Sequence, residues 1–346
     1  MSAWRSALTA AAVVCGLSCP AQAQQTVADF YKGRSLDLLI PFTTGGGYDA
    51  YARLVARYIG KHVPGSPQVV PKQMLGAGGR TATMHVYKIA PRDGTVLATT
   101  EQSLPLAQAT GDPSIQWDSK ELIWIGNPIN ENNTVASWTA SGVTTIEDAR
   151  KREVVIAGAG INTAAQFAMA LNRIAGTKFK FISGYPGANE MHIAMERGEV
   201  DARTNSWASW KAMKPDWVRD HKISVLVQIG LRRSKDLPDV PLLTDLAGND
   251  EDRAALRILS ASSAIGRPLF TTPGTPPDRV KALRDAFDAT MKDPEFLETA
   301  KREGLDIDSV GGEDLQRIVT EIVAAPKQTI ERLSAIISTA ELENRK

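Results

Sequence analysis

The sequence predicts an α/β protein with two α/β lobes and a ligand cleft between them. Strand and helix patterns alternate through most of the chain, glycines interrupt the strand-to-helix links, and a polar stretch near residue 130 separates two such series. Alternation with short links is typical of a parallel sheet covered by helices on both faces. A chain of 346 residues is long enough for two cores of ordinary size.

The first 23 residues predict a secretory signal peptide. Arg5 provides a positive charge, residues 7–17 are apolar, and Ala21-Gln22-Ala23 is a typical cleavage site. The alternative, a membrane anchor, is disfavoured because the apolar run is shorter than the roughly 20 residues that span a bilayer. Cleavage removes both cysteines and one of the 40 basic residues, which leaves 39 basic and 39 acidic residues. We therefore expect a periplasmic protein without disulfides.

The first lobe is predicted to comprise residues 24–130 together with 261–346. After a short helix at 27–32, strand and helix patterns alternate in this order: strand 36–40, helix 49–59, strand 69–73, helix 81–89 and strand 96–100. An extended run at 256–266 is expected to lead back to this lobe. Helices at 278–291, from Pro294 to Gly304, and at 315–338 are expected to pack on it.

The second lobe is predicted to comprise residues 131–260. Its series is helix 146–151, strand 154–156, helix 164–174, strand 179–183, helix 188–197, strand 200–204 and strand 223–229. The ends of these strands should lie at the cleft, because open α/β sheets bind ligands at the carboxyl ends of their strands.

Two glycine-rich loops in the first lobe are the strongest candidates for a ligand site. Each follows a strand and precedes a helix, so that free backbone amides and a helix N-terminus would point into the cleft and favour an anion. The alternative is that the glycines only permit tight turns. The second loop lacks the Lys-Ser or Lys-Thr of a nucleotide-binding P-loop. The predicted contacts are Phe42, Thr43, Thr44, Gly46, Gly47, Tyr48 and Asp49 in the first loop, and Gly78, Gly79 and Arg80 in the second.

Asp49 and Arg80 have alternative roles. Asp49 would repel an anion, and we expect it to cap a helix or organise the loop. Arg80 either pairs with a ligand carboxylate or points to solvent. In the second lobe, Gly160, Asn162 and Thr163 begin a helix, and Tyr185 and Asn205 end strands, where each could donate hydrogen bonds. The alternative for Thr163 is a helix cap without a ligand.

Several classes of function are disfavoured. The sequence around Gly160 resembles a dinucleotide fingerprint, but no acidic residue closes the next strand, so NAD binding is not expected. Near-neutral charge argues against a nucleic-acid partner. No catalytic histidine, cysteine or serine motif is present, and we predict no catalytic residue, no metal and no cofactor. Trp207, Trp210 and Trp217 could form an aromatic wall, although packing within the lobe is the simpler interpretation.

The chain resembles the substrate-binding receptors of tripartite tricarboxylate transporters, the Bug-type family. The likeness extends from about Phe30 to Ile337 and rests on motifs in the same order: Pro41-Phe42-x-x-Gly45-Gly46-Gly47-x-Asp49-x-x-Ala52-Arg53, Gly76-Ala77-Gly78-Gly79, Ala90-Pro91-x-Asp93-Gly94-Thr95, Leu237-Pro238-Asp239-Val240-Pro241 and Pro273-Gly274-Thr275-Pro276. The resemblance implies a type II periplasmic-binding-protein fold in which the first-lobe loops bind one carboxylate through amides and ordered waters.

The resemblance also has departures. Many family members have Tyr-Lys-Gly where this chain has Tyr185-Pro186-Gly187, and Phe-Asp where it has Thr204-Asn205. Asn205 weakens the case for an amino-acid ligand, and the charge of Arg80 favours a di- or tricarboxylate.

The resulting hypothesis is a monomeric periplasmic receptor that delivers a small organic carboxylate to the membrane subunits of a tripartite tricarboxylate-type transporter. A di- or tricarboxylate is the first choice of ligand, and an aromatic carboxylate is the second. An exported enzyme and a sensor subunit on the same fold remain alternatives.

Overall fold

The computed structural model describes residues 25–130, 132–158, 163–185 and 187–340. The predicted signal peptide and the predicted contacts Gly160 and Asn162 lie outside these ranges. The helices are α1 (Val27–Tyr31), α2 (Gly47–His62), α3 (Arg80–Lys88), α4 (Leu104–Ala109), α5 (Ile146–Lys151), α6 (Thr163–Ala175), α7 (Ala188–Glu196), α8 (Trp207–Met213), α9 (Pro215–Arg219), α10 (Asp250–Ile265), α11 (Pro277–Thr290), α12 (Pro294–Arg302), α13 (Gly312–Val323) and α14 (Lys327–Ile337). The strands are β1 (Ser35–Ile40), β2 (Gln68–Gln73), β3 (Val96–Thr99), β4 (Ile123–Asn127), β5 (Asn133–Trp138), β6 (Val154–Gly158), β7 (Phe179–Ser183), β8 (Ala202–Ser206), β9 (Ile223–Ile229), β10 (Leu269–Thr271) and β11 (Val310–Gly311).

The strands form two separate mixed sheets, one for each lobe. The first sheet has the order β11-β4-β10-β3-β1-β2, and the second has the order β7-β6-β8-β5-β9. The pairs of β1 with β2 and β3 are parallel, as the alternating pattern predicts, whereas β10 is antiparallel to both of its neighbours. The parallel sheet that the alternation predicts is therefore only part of a mixed sheet, because the chain returns to the first sheet through β10. The second sheet is also mixed, since β5 is antiparallel to β8.

Most of the predicted elements are present. The strand predicted at 200–204 lies two residues later, as β8, and two other segments differ. The run at 256–266, predicted as extended, is the second half of helix α10, which begins at the cap Asn249, whose side chain accepts from the amide of Asp252. The predicted helix over 315–338 is two helices, α13 and α14, separated by residues 324–326, the last of which is Pro326. Proline lacks an amide hydrogen and disfavours helical geometry in the residue before it, so the break follows from the sequence.

The last helix packs differently from expectation. Helices α11 and α12 pack on α2, and α13 packs on β4. Helix α14 instead packs against α10 and α6. Arg173 of α6 donates to the carbonyl oxygen of Ile336 at 2.7 Å, so α14 is fastened to a helix of the second lobe. None of the helices in the described ranges is long and apolar enough to cross a bilayer.

Asn127, the last residue of β4, is hydrogen-bonded to both chain segments that connect the two sheets, one after β4 and one after α10. Its side chain is fully buried, and Nδ2 donates to the carbonyl oxygens of Ile129 (2.8 Å) and Ala264 (3.2 Å). Its Oδ1 accepts from the amides of Ile129 (3.1 Å) and Arg267 (2.9 Å). The outgoing segment after β4 and the returning segment after α10 therefore meet at one carboxamide.

Replacement of Gly266 by alanine tests this junction. Gly266 has φ of 60° and ψ of −115°, and an added Cβ would overlap the backbone oxygen of Ile129. Because backbone cannot move aside cheaply, we expect Gly266→Ala to lower the free energy of unfolding by about 3 kcal/mol, at the upper end of ordinary point mutations. Urea unfolding followed by tryptophan fluorescence measures it.

Gly111→Ala is the matched control for Gly266→Ala. Gly111 also has a positive φ of 80°, but an added Cβ would meet nothing within 4 Å. Only the backbone strain of about 1 kcal/mol is expected there. Equal losses in the two variants would show that the junction at Gly266 is not tightly packed.

Candidate functional site

The first glycine loop, residues 41–46, joins β1 to the N-terminus of α2. Gly46 is the N-cap of this 16-residue helix and provides no side-chain cap, so the first-turn amides are not satisfied in that way. The rings of Phe42 and Tyr48 stack with their centroids 4.3 Å apart. Gln73 of β2 donates to Thr44 Oγ1 at 3.0 Å, and Thr43 is exposed. The loop thus presents a helix N-terminus beside an aromatic pair.

Asp49 stabilises the first loop through its side-chain carboxylate. It is 2% exposed, and its carboxylate accepts from the amide of Gly45 at 3.1 Å and from Nε of Arg53 at 2.7 Å. Both carboxylate oxygens therefore have partners inside the loop and the helix. This geometry supports the expectation that Asp49 organises the loop.

The second glycine loop, residues 76–79, follows β2 and leads into α3. Gly78 (φ 61°) and Gly79 (φ 94°) both have the left-handed backbone that glycine adopts most easily. A Cβ on Gly79 would lie 2.9 Å from Thr100 Oγ1 and 3.3 Å from the amide of Glu101, so the loop packs closely on the segment that follows β3.

Arg80 is paired within the first lobe. Its Nη2 donates to Asp112 Oδ2 at 2.8 Å, its Nε to Ser114 Oγ at 2.9 Å and its Nη1 to the carbonyl oxygen of Ala77 at 3.2 Å. The carboxylate of Asp112 compensates the guanidinium charge. A ligand contact by Arg80 stays a prediction, but the structure does not leave its charge free for an anion.

Arg267 is a central side chain of the cleft that sequence reasoning missed. It is 8% exposed and lies directly after α10, with its guanidinium carbon 4.3 Å from the centre of the Tyr48 ring. Its Nη2 donates to Ser206 Oγ at the end of β8, at 3.3 Å. Arg267 thus joins the first loop to the second lobe. No local motif marks it, because its partners come from distant parts of the chain.

Glu101 is a second side chain that the sequence did not single out. Its carboxylate accepts from Thr163 Oγ1, in the first turn of α6, at 3.2 Å, and also from the amide and hydroxyl of Ser103. The first contact crosses the cleft and brings the predicted residue Thr163 to the first lobe. Burial raises the pKa of Glu101 above its usual range, and the hydrogen bonds and the charge of Arg80 oppose this shift.

Within the described ranges, buried polar atoms without partners occur after β3, in the first turn of α6 and near the end of β8. Among the described residues, Gln102 Oε1 in the first lobe and Gln166 Oε1 and Asn205 Nδ2 in the second are buried and have no hydrogen-bond partner. Gln102 follows Glu101, and its amide donates to the Tyr48 hydroxyl at 3.0 Å. Because buried polar groups are normally satisfied, such a group of atoms is typical of a binding site.

The second-lobe aromatic residues separate into two groups. Trp210 and Trp217 are fully buried with His192, as the packing interpretation predicts, whereas Trp207 donates from Nε1 to Asp236 at 2.9 Å. Tyr185 is half-buried beside this apolar cluster, at the end of the loop after β7. The structure does not bring Tyr185 into any hydrogen bond within the described ranges.

Comparison with known proteins identifies the family. Residues 52–335 match the family model described as "Tripartite tricarboxylate transporter family receptor", and the chain belongs to this family. A relative from Cupriavidus necator, named "UPF0065 protein in gbd 5'region", is 28% identical over 340 residues, which cover 95% of this chain and 96% of the relative. The family consists of solute-binding receptors, so the enzyme alternative is set aside.

Solved structures show the same two-lobed fold. The periplasmic binding protein BugD is 21% identical with a TM-score of 0.64, and the match covers 88% of this chain and 98% of BugD. A protein from R. palustris solved with adipate is 20% identical with a TM-score of 0.65, with 88% of this chain and 97% of that protein covered. The predicted family and the two-lobed α/β fold are confirmed.

The role of Asp49 can be tested by Asp49→Ala. The substitution leaves the amide of Gly45 and the guanidinium of Arg53 without their carboxylate, which should lower the free energy of unfolding by about 2 kcal/mol. The measurement is urea unfolding. The control is Asp285→Ala, which breaks a similarly spaced but exposed pair with Lys281 and should change little. Similar effects in both variants would contradict the organising role.

The raised pKa of Glu101 predicts a pH-dependent stability difference between the native chain and Glu101→Gln. Because the folded state holds this proton more tightly than the unfolded chain, the carboxyl group costs stability as the pH rises above the ordinary value of 4.5. Glu101→Gln should therefore gain in relative free energy of unfolding as the pH increases through that window. Chemical denaturation across a pH series measures this gain, and parallel curves for the two proteins would contradict the assignment.

Proposed function

We propose that the chain is a periplasmic receptor that captures a small organic carboxylate in the cleft and delivers it to the membrane subunits of a tripartite tricarboxylate-type transporter. A di- or tricarboxylate is favoured as ligand, and an aromatic carboxylate is second. Membership of the receptor family supports transport, and the adipate seen in a protein of the same fold supports a carboxylate.

One observation carries the choice of an anion. The N-terminus of α2 and the guanidinium of Arg267 lie against each other, since a Cβ built on Gly47 would be 3.4 Å from both Nε and Nη2 of Arg267. A helix N-terminus carries partial positive charge, and a guanidinium carries a full one. A helix N-terminus and a guanidinium that lie side by side in a partly buried cleft favour an anion that contacts both.

The residues proposed to contact the ligand are those predicted from the sequence, with Arg267 added. Backbone amides near Gly46 and Gly47 and the Arg267 guanidinium would bind one carboxylate, and the second-lobe residues would bind the rest of the molecule. The full proposed set is Phe42, Thr43, Thr44, Gly46, Gly47, Tyr48, Asp49, Gly78, Gly79, Arg80, Gly160, Asn162, Thr163, Tyr185, Asn205 and Arg267.

The lobe boundaries and the molecular state are part of the same proposal. The first lobe would comprise residues 24–130 and 261–346, of which helix α14 reaches across to α6 of the second lobe. The second lobe would comprise 131–260, with a monomer as the working form. Hinge motion at the two crossings would open and close the cleft.

Thermal unfolding with a panel of mono-, di- and tricarboxylates, aromatic acids and amino acids tests the proposal. The protein should first be unfolded and refolded, so that no carried-over ligand remains. A ligand at a hundred times its dissociation constant should add about 2.7 kcal/mol of stability, which this assay detects. No shift with any carboxylate would contradict the proposed function.

Gly47→Val locates the binding at the cleft. The new side chain would press against Ser209 Oγ, 3.2 Å from the added Cβ, and against Arg267, so the thermal shift should disappear. Gly248→Val is the control, because a Cβ there meets nothing within 4 Å. A full shift in Gly47→Val would place the ligand elsewhere.

A further inference from the structure

Arg203, the second residue of β8, is a buried cation that the proposed carboxylate site above does not use. It is 5% exposed. Burial in a low-dielectric environment is costly for an ion unless an opposite charge compensates it. Among the described residues, no carboxylate forms an ion pair with Arg203 or acts on its pKa, which burial lowers to about 10.

The hydrogen bonds of Arg203 all go to neutral acceptors. Its Nη1 donates to the carbonyl oxygen of Ala188 at 3.1 Å and to His192 Nε2 at 2.9 Å, and its Nε donates to the carbonyl oxygen of Thr204 at 3.1 Å. Its Nη2 donates to no acceptor in the described ranges. The guanidinium carbon lies 5.4 Å from the centre of the Trp210 ring, which adds a cation–π contact without adding negative charge.

His192 does not supply a counter-charge. Its Nε2 accepts from Arg203, so the ring is neutral with the proton on Nδ1. Burial, and then the charge of Arg203, lower the pKa of His192 to about 3. The pair therefore keeps one positive charge at neutral pH, a guanidinium that remains protonated inside the second lobe.

The charge lies near the cleft end of the second sheet. Ala188, which accepts from Nη1, is the first residue of α7, directly after the loop that leaves β7. Asn205 is two residues further along β8 than Arg203 and therefore lies on the same face of the strand, nearer to its carboxyl end. Its Nδ2 is buried and has no partner among the described residues.

Donors in this arrangement are complementary to a carboxylate. A guanidinium edge and an amide hydrogen pair well with the two oxygens of one carboxylate group. Ser206, the residue after Asn205, accepts from Arg267, so the two buried guanidinium groups approach the end of β8 from its opposite faces. Three residues of strand separate Arg203 from Ser206, about 10 Å between their Cα atoms.

We propose that Arg203 and Asn205 bind a second carboxylate of the ligand, opposite the carboxylate bound by the α2 N-terminus and Arg267. This inference rests on the proposed function and deepens it, because it makes Arg203 the residue that selects dicarboxylates over monocarboxylates. The sequence assigned that role to the charge of Arg80, but Asp112 already pairs with Arg80.

Calorimetric titration with adipate and hexanoate tests the selection. The two acids have the same carbon chain and differ in the second carboxylate. The native chain should bind adipate at least about tenfold more tightly, the effect expected for one charged hydrogen-bonded pair. In Arg203→Met the preference should fall to about onefold, while the affinity for hexanoate stays as in the native chain.

Arg279→Met is the matched control for Arg203→Met. Arg279 also donates to a backbone oxygen, that of Asp93 at 2.9 Å, and also lies over an aromatic ring, that of Phe30 at 3.4 Å, but on α11 in the first lobe. It should keep the full preference for adipate. If Arg203→Met does not fold, Arg203→Lys keeps the charge and loses the planar fork, so adipate should weaken severalfold and hexanoate should not change.

The outcomes separate this inference from the proposed function. A native chain that binds both acids equally, or an Arg203 variant that weakens both acids equally, overturns the role of Arg203 and leaves the receptor function intact. A refolded native chain that binds neither acid nor any other carboxylate of the thermal-unfolding panel overturns both. Loss of the adipate preference in the Arg203 variant alone, with the control unchanged, supports the inference.

Discussion

The carboxamide of Asn127 is the contact on which the two-lobed arrangement depends. It is the last residue of β4, and its donors and acceptor connect the outgoing segment at Ile129 with the returning segment at Ala264 and Arg267. A fully buried amide with all of its bonds made fixes geometry strongly, because any displacement would leave polar groups unsatisfied. The same bond fixes the backbone of Arg267, so the junction between the lobes and a main cation of the cleft form one unit.

Positive groups at the cleft agree with the anionic ligand that we propose. The first lobe contributes the uncapped N-terminus of α2, and the returning segment contributes Arg267. Negative charge in the cleft is restricted by pairing or by burial. Asp49 is occupied by Gly45 and Arg53, and burial raises the pKa of Glu101, which reduces the cost of keeping it protonated.

Sequence patterns predicted the parts of the fold that depend on local order. The strand β7 and the helix α5 have the predicted bounds, and the glycine loops lie at strand ends as expected. Longer-range features were not predictable in the same way. The strand β10 has three residues, too few to show the alternation of apolar and polar residues that indicates a strand. The serine-rich second half of α10 was predicted to be extended, although it continues the helix that begins after the cap Asn249. Arg267 and Arg203 could not be identified from the sequence. Each is unusual because it is buried by the tertiary structure, and no local sequence motif indicates that burial.

Backbone amides recognise a carboxylate without reading what is attached to it, so ligand choice in such a cleft has to come from side chains. Among the described residues of the second lobe, Asn205 Nδ2 and Gln166 Oε1 are buried without hydrogen-bond partners, and we propose that they contribute to that choice. Arg203 adds a full charge, which in the described part of the chain is buried and hydrogen-bonded to neutral acceptors. An uncompensated cation would be expensive in a permanently empty lobe. In our proposal the second carboxylate of the ligand pairs with Arg203 and compensates the cost of burying its charge. A monocarboxylate leaves the cation unpaired, so the receptor binds dicarboxylates more tightly.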